Sequence, residues 1–327
     1  MNEHIRLYSI KTERNAMEKL KKCLACQHEN FTSIQKTQAM MHPSGASFNF
    51  DQCDNCGLVF LNPRVPVEEL SEYYSEWYLP YRGDAAWGKY GMLVAGDQKK
   101  VDQKRIETVT KYVTLNSDST VLDIGCGKPD FLKLLSEKYP CRAIGIDFSD
   151  SGWAMSKSLY ANIELHVGEI ESVKEFPAPD LITMWHYLEH DYDPGATLQA
   201  LKTRSHANTH LVVEVPNFDS KTRKDYGVHW AGYHTPRHTA LWTPETMKTL
   251  MENNGWKVVR SYPYGTLDPY TLKWMSEMEK RGIDWSKSME SEFWGYVRGK
   301  MAYLPVTMLE KQRSLGFMTC VAVPAAN

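Results

Sequence analysis

An apolar run that stops on Asp-x-Gly-x-Gly sets the first constraint: residues 121–132 read VLDIGCGKPDFL. The run fits a buried strand. Gly125 and Gly127 allow a tight turn with a close backbone approach, and a helix begins near Asp130. The alternation then repeats. Short apolar runs fall at 120–126, 141–147, 163–167, 180–188 and 210–216, separated by helix-compatible stretches at 131–139, 151–160 and 197–205. Strands alternating with helices predict a parallel α/β sheet. Further on, Thr243 as N-cap, Pro244 at N1 and Gly255 as a stop delimit another helix. WKVVRSYPY (256–264) and FMTCVAVP (317–324) supply a sixth and a seventh strand. Between them, residues 265–316 are rich in Trp, Met and charge. They are too long for a structureless loop and are expected to be helical, as a lid or an interface.

Two cysteine pairs stand outside this pattern. CLAC (23–26) and CDNC (53–56) give C-x2-C-x26-C-x2-C. Cys23, Cys26, Cys53 and Cys56 at this spacing predict a tetrahedral Zn2+ ribbon, with Gly57 suiting the turn of the second knuckle. Four thiolates leave no open position, so the zinc is expected to be structural. The polar segment between the pairs argues against buried core thiols. The remaining cysteines, Cys126, Cys141 and Cys320, sit in apolar surroundings and read as small core residues. The chain therefore divides into an N-terminal arm and ribbon (1–62), an aromatic helical connector (63–115) and a main α/β domain (116–327) carrying the insert 265–316.

The 38 basic and 40 acidic residues leave a net charge of −2, which provides no global field for nucleic acid or anionic membrane. No apolar run reaches the roughly 18 residues a membrane span needs. The first twenty residues carry no continuous apolar h-region, so a cytoplasmic protein is expected.

What the glycine loop holds follows from the charges around it. A dinucleotide site wants Gly three positions after Gly127, where this chain has Asp130; a carboxylate there repels a pyrophosphate. Asp123, two before Gly125, suits a cationic group such as an amino acid's ammonium. Both point to S-adenosylmethionine (SAM). Asp147 ends the second strand 22 residues after Gly125, where a carboxylate hydrogen-bonds a ribose diol with either cofactor.

DIGCG, GID, GEIES, WHYLEHDYDP and VEVPN together resemble the class I SAM-dependent methyltransferases. The likeness is closest to the branch with WHxLEHxxDP at the fourth strand and a PRH…TPE segment, here HWAGYHTPRHTALWTPE (229–245). Members of that branch also carry a CxxC…CxxCG ribbon followed by VFxNPR, here CDNCGLVFLNPR (53–64). The resemblance covers about residues 23–260. It implies a Rossmann-like seven-stranded sheet of order 3-2-1-4-5-7-6 with the last strand antiparallel. It also implies that Asp123, Gly125 and Gly127 line the methionine end of SAM, that Asp147 holds the ribose, and that Glu169 and Ile170 contact adenine. Pro129 departs from the family, where many members have a third glycine; a proline fits the first turn of a helix, so an altered loop that still binds SAM is expected.

Methyl transfer from a sulfonium needs alignment, exclusion of water and, for some acceptors, removal of a proton. Trp185 reads either as an aromatic face against the sulfonium or as a core residue. His186 reads as a general base or a structurally hydrogen-bonded histidine, and Glu189 and His190 as substrate contacts or loop-ordering groups. His229, Tyr233, His234, Arg237 and His238 should face the same cleft, with Tyr233, His234 and His238 as further candidate bases. His229, His234 and His238 invite a second metal, but Pro236 argues against a shared helical face and no nearby carboxylate completes the set, so that reading is not favoured. Arg237 suits a substrate carboxylate or phosphate, or equally a salt bridge. Tyr73, Tyr74, Trp77, Tyr78 and Tyr81 read as a packing seam sooner than as a cofactor cap.

These readings predict a SAM-dependent methyltransferase acting on a small polar metabolite, such as a sugar nucleotide or secondary-metabolite precursor, with a cleft histidine as base. Two alternatives stand beside it: an RNA methyltransferase gripping its substrate with the ribbon, which the net charge opposes, and a non-catalytic zinc-braced module, which only Pro129 supports. A homodimer through 265–316 is compatible with the sequence.

Overall fold

The computed structural model describes residues 16–173 and 175–326. Most of the polar arm expected at 1–22 lies outside the described residues. At its described end, Glu18 bridges Arg64 and accepts two hydrogen bonds from that guanidinium, each 2.9 Å.

The ribbon consists of β1 (Phe31–Gln38), β2 (Ser47–Cys53) and β3 (Val59–Leu61), paired antiparallel. The connector forms two 3-10 segments and the helices α1 (Leu79–Arg82) and α2 (Gly91–Val109). The main domain continues with β4 (Thr120–Ile124), α3 (Asp130–Lys138), β5 (Arg142–Asp147), β6 (Ile163–Val167), β7 (Leu181–Trp185), α4 (Pro194–Thr203) and β8 (His210–Pro216). After α5 (Lys221–Tyr226) come β9 (Ala240–Leu241), α6 (Pro244–Asn253) and β10 (Trp256–Tyr262). The insert supplies α7 (Pro269–Arg281) and α8 (Phe293–Thr307), and β11 (Phe317–Pro324) closes the chain.

The seven-stranded sheet runs β10-β11-β8-β7-β4-β5-β6. Counted along the chain within the sheet this is 6-7-5-4-1-2-3, the expected order read from the other edge. β11 is antiparallel to both neighbours and the pairs from β8 to β6 are parallel. β4 and β7 are buried along their whole length, as a parallel sheet covered on both faces requires.

Two expectations shift. The stretch 151–160 is a 3-10 segment (Ala154–Tyr160) broken at Ser156, not an α-helix. Gly152, Ser151, Ser156 and Ser158 favour turns over helix interior, which explains the weaker form. β7 ends at Trp185, not Leu188, because His186 adopts φ +57° and turns the chain out of the sheet. At α6 the capping expectation holds in detail: Thr243 accepts from the Thr246 amide while Thr246 Oγ1 accepts from the Thr243 amide.

The ribbon is fused to the main domain. β3 pairs with β9, so the ribbon sheet takes its fourth strand from the segment after β8. Cys23, Ala25, Cys53 and Leu58 share one hydrophobic cluster with Trp242, Met247 and Met251. Asn253 at the end of α6 donates to the Ala25 carbonyl at 3.0 Å.

Candidate active site

The glycine loop is shaped by the chain around it. Gly125 and Gly127 have φ of +72° and +49°. A Cβ at Gly125 would lie 2.5 Å from Tyr187 Cδ2. The Gly127 amide donates to Asp147 Oδ2 at 2.8 Å, and the Ser149 amide donates to Asp147 Oδ1 at 3.1 Å. Gly152 packs on the loop so closely that a Cβ there would meet the Gly127 carbonyl oxygen at 2.3 Å. Pro129 occupies the N-cap of α3, with φ −77° and ψ 37°, a position where its missing amide hydrogen is no loss. The Gly168 amide donates to the Asp147 carbonyl at 2.8 Å, which brings Glu169 and Ile170 beside the end of β5. Ile170 is buried in the core, and Glu169 caps the 3-10 turn that follows it.

Asp123 is buried at the end of β4 and accepts from Thr183 Oγ1 at 2.6 Å. Burial raises its pKa to about 7 despite that hydrogen bond. Trp185 is buried edge-on to Phe131, with ring centroids 5.5 Å apart, and the Arg105 guanidinium lies 5.0 Å from its ring.

A cavity of about 990 Å³ extends from Gly127 and Trp185 to the insert, where Trp274, Phe293 and Tyr296 form its far wall. His186, Glu189, His190, His234 and His238 line it as well. Helices α7 and α8 of the insert thus wall this cavity.

His186 sits between two carboxylates. Its Nε2 lies 3.1 Å from Glu214 Oε1 and its Nδ1 3.5 Å from Glu189 Oε1. Burial disfavours the imidazolium, but the two carboxylates outweigh it and raise the pKa to about 9. His186 is therefore protonated at neutral pH. Burial leaves His234 and His238 neutral instead, with pKa values well below the usual histidine range. His186 and His234 are two of four described non-glycine residues with positive φ, at +57° and +35°. Strained backbone of this kind persists where the surroundings over-determine it.

Of the expected cofactor residues only Gly127 and Trp185 line this cavity, and three of the expected catalytic and substrate residues lie away from it. Arg237 is fully buried and donates to the carbonyls of Tyr73 and Met40, both at 2.7 Å, with its guanidinium 4.0 Å from the Tyr78 ring. Those bonds tie connector and ribbon to the histidine segment and leave the substrate-clamp reading without support. Tyr233 is fully buried among Phe50, Phe218 and Trp230, away from the cavity lining. His229 is exposed at the end of a 3-10 turn outside the cavity. The tyrosine-rich connector is a seam, with Tyr73 and Tyr78 in the second hydrophobic cluster.

Glu214 was not singled out from sequence. It is fully buried and accepts from the Thr266 amide at 2.7 Å, from Thr266 Oγ1 at 3.0 Å and from His186. Its signal was present: a lone carboxylate in the apolar strand HLVVEVP calls for a buried partner.

The cysteine quartet assembles as expected. Cys23 and Cys56 sulfurs are 3.6 Å apart, and those of Cys26 and Cys53 are 3.5 Å apart. All four lie within 4.8 Å of one another and none is in a disulfide. A tetrahedral zinc with Zn–S of about 2.3 Å has sulfur–sulfur edges of about 3.8 Å, so the donor set fits that ion. The Gln27 and Gly57 amides donate to the Cys23 and Cys53 carbonyls, closing two knuckles, and Gly57 has φ +79°.

The family model described as "Methyltransferase domain" matches residues 98–261. The chain belongs to this methyltransferase family. It is a SAM-dependent methyltransferase. No curated protein matches it. Among solved structures it is similar to a complex of the Haloferax volcanii Trm112 methyltransferase activator with a methyltransferase, at 16% identity and TM-score 0.49, covering 74% of this chain and 97% of that one. It is also similar to mycolic acid cyclopropane synthase CmaA1 complexed with SAH and CTAB, at 14% identity and TM-score 0.48, covering 68% and 83%. A third is magnesium protoporphyrin IX methyltransferase from Synechocystis PCC 6803 with bound SAH, at 13% identity and TM-score 0.43, covering 71% and 84%. No helix among the described residues is long and apolar enough to cross a membrane.

Proposed function

We propose that this methyltransferase acts on a small polar metabolite held in the cavity between the glycine loop and the insert. The carrying observation is the cavity itself: one space of about 990 Å³ links Gly127 and Trp185 to Trp274 and Tyr296. Small-molecule sites are typically about 300–1,000 Å³. Asp123, Gly125 and Gly127 would hold the methionine end of SAM, Asp147 the ribose, and Glu169 with Ile170 the adenine. When bound, SAM supplies the electrophilic methyl group. Trp185 would lie against the cofactor, and the insert would exclude water.

The proton acceptor is His234 in this reading. It is neutral, it lines the cavity, and its Nε2 is buried with no hydrogen-bond partner among the described residues. His186, already protonated, orients the loop through Glu189 and Glu214. The four cysteines would hold a structural zinc whose role is to brace the histidine segment. The Met40 amide donates to the Thr235 carbonyl at 2.9 Å and the Leu61 amide to the Thr239 carbonyl at 2.9 Å, so the ribbon grips that segment on both sides. A ribbon so engaged favours bracing over gripping RNA.

Incubation with methyl-labelled SAM and a whole metabolite extract tests the reading. Label should appear in a low-molecular-weight fraction; label recovered only in added total RNA would overturn it.

Asp123 gives a pH dependence. Its folded pKa is about 7, so the carboxyl gains a proton as pH falls through 7. The ionised form is the one that attracts an ammonium. SAM affinity should therefore be highest above pH 7 and drop by up to about tenfold per unit below it. Calorimetric titration from pH 8 to pH 5 checks this. Asp123→Asn should bind weakly at every pH, and a wild-type profile as flat as the variant's would remove Asp123 from the site.

A further inference from the structure

The fold brings to the 229–238 histidine segment the carboxylate which that segment lacks. Glu189, His190 and His238 each place one ligand atom within 4.8 Å of the others, and all three line the cavity. Glu189 is 2% exposed, and neither of its oxygens has a hydrogen-bond partner among the described residues. A buried carboxylate left in that state is costly, and a cation is the ordinary remedy. The nearest basic side chain is His186, whose Nδ1 stands 3.5 Å away while its Nε2 is engaged by Glu214 at 3.1 Å.

The histidines are oriented as metal ligands are. His238 Nδ1 lies 2.8 Å from the Gly232 carbonyl oxygen, and His190 Nδ1 lies 3.1 Å from the Arg237 carbonyl oxygen and 3.3 Å from the Tyr74 hydroxyl. A carbonyl only accepts, so each Nδ1 carries the proton and each Nε2 is left with a lone pair. Nδ1–H donation to a backbone carbonyl is the second contact that ordinarily fixes a ligating histidine. The ring centroids of His190 and His238 are 4.6 Å apart and nearly perpendicular. The backbone holds the set together: the Thr239 amide donates to the Glu189 carbonyl at 2.7 Å, joining the turn after β7 to the PRH segment.

We propose that Glu189, His190 and His238 form a second metal site, for a divalent first-row transition ion, with open positions facing the cavity. Two imidazoles and one carboxylate suit Mn2+, Fe2+, Co2+ or Zn2+, and three protein ligands leave room for an oxygen of the methyl acceptor. The site stands on its own geometry; only its role rests on the methyltransferase reading. In that role the ion would bind an acceptor hydroxyl, and His234 would take its proton. The oxygen would then bond to the donor methyl, with the electron pair of the breaking C–S bond staying on sulfur.

Mn2+ separates this site from the cysteine quartet, because thiolates select zinc and an N/O set accepts manganese. The full chain, equilibrated with excess Mn2+ and desalted, should hold one manganese in addition to one zinc per chain by elemental mass spectrometry. Glu189→Gln, His190→Ala and His238→Ala should each lose the manganese and keep the zinc, which also reports that they remain folded. As a second measurement on the wild-type chain, Mn2+ should broaden the imidazole signals of His190 and His238 well before those of His206 and His210. Wild-type protein that takes up no manganese, cobalt or second zinc overturns the proposal, as does uniform broadening. SAM affinity measured on the same samples distinguishes the failures: intact SAM binding without a second metal removes this site and leaves the methyltransferase reading in place.

Discussion

Removing the ribbon metal, or replacing Cys53 by serine, should lower the melting temperature by at least about 10 °C. The sulfurs do not sit on a detachable module. Cys23 and Cys53 are 0% and 2% exposed, and they pack in the cluster that also holds Trp242, Met247 and Met251. Structural zinc in small peptides is worth about 10–16 kcal/mol at neutral pH, and here part of that would pass into the main core through shared packing. The loss should also reach the cleft. β3 pairs with β9, and the Met40 and Leu61 amides hold the carbonyls of Thr235 and Thr239. A melt followed by circular dichroism, before and after zinc removal by a strong chelator, measures the effect. An unchanged melting temperature with zinc demonstrably gone would sink the bracing role.

Gly125→Val should weaken SAM binding by at least about 100-fold, or about 2.7 kcal/mol. Valine at φ +72° is strained, and its Cβ would meet Tyr187 Cδ2 at 2.5 Å and Tyr187 Cβ and Cγ at 2.9 Å. Relief requires moving either the loop or the turn that carries His186 and Glu189. Gly152→Ala attacks the same loop from the other side, since its Cβ would meet the Gly127 carbonyl oxygen at 2.3 Å and the Lys128 amide nitrogen at 2.8 Å. Gly295→Ala is the control: it lies in α8, has ordinary φ and finds no atom within 4 Å. Isothermal titration with SAM compares them. Equal affinity in Gly125→Val and Gly295→Ala would show that the loop does not contact the cofactor.

The seven strands are legible in the sequence, because strands buried on both faces are written as apolar runs, while their order follows only from the family resemblance. β6, β8 and β11 lie where the runs placed them. The sequence by itself also determined the cysteine quartet, since a C-x2-C knuckle is local chemistry, and it marked the glycine loop by the backbone freedom that only glycine has. The motifs bring the cleft histidines to one region, but which of their side chains pair with which is set by long-range packing. Glu189 and His238 are 49 residues apart in sequence. They meet because His186 turns the chain out of β7 and because Thr239 hydrogen-bonds back to Glu189. The same holds for Arg237. Its residue type suits a substrate anion, and only the fold places its two amino groups on the carbonyls of Tyr73 and Met40, 164 and 197 residues away. Periodicity records which face of an element is buried. It does not record what stands opposite a polar side chain once that face is covered, and the chemistry of this cleft depends on those long-range pairings.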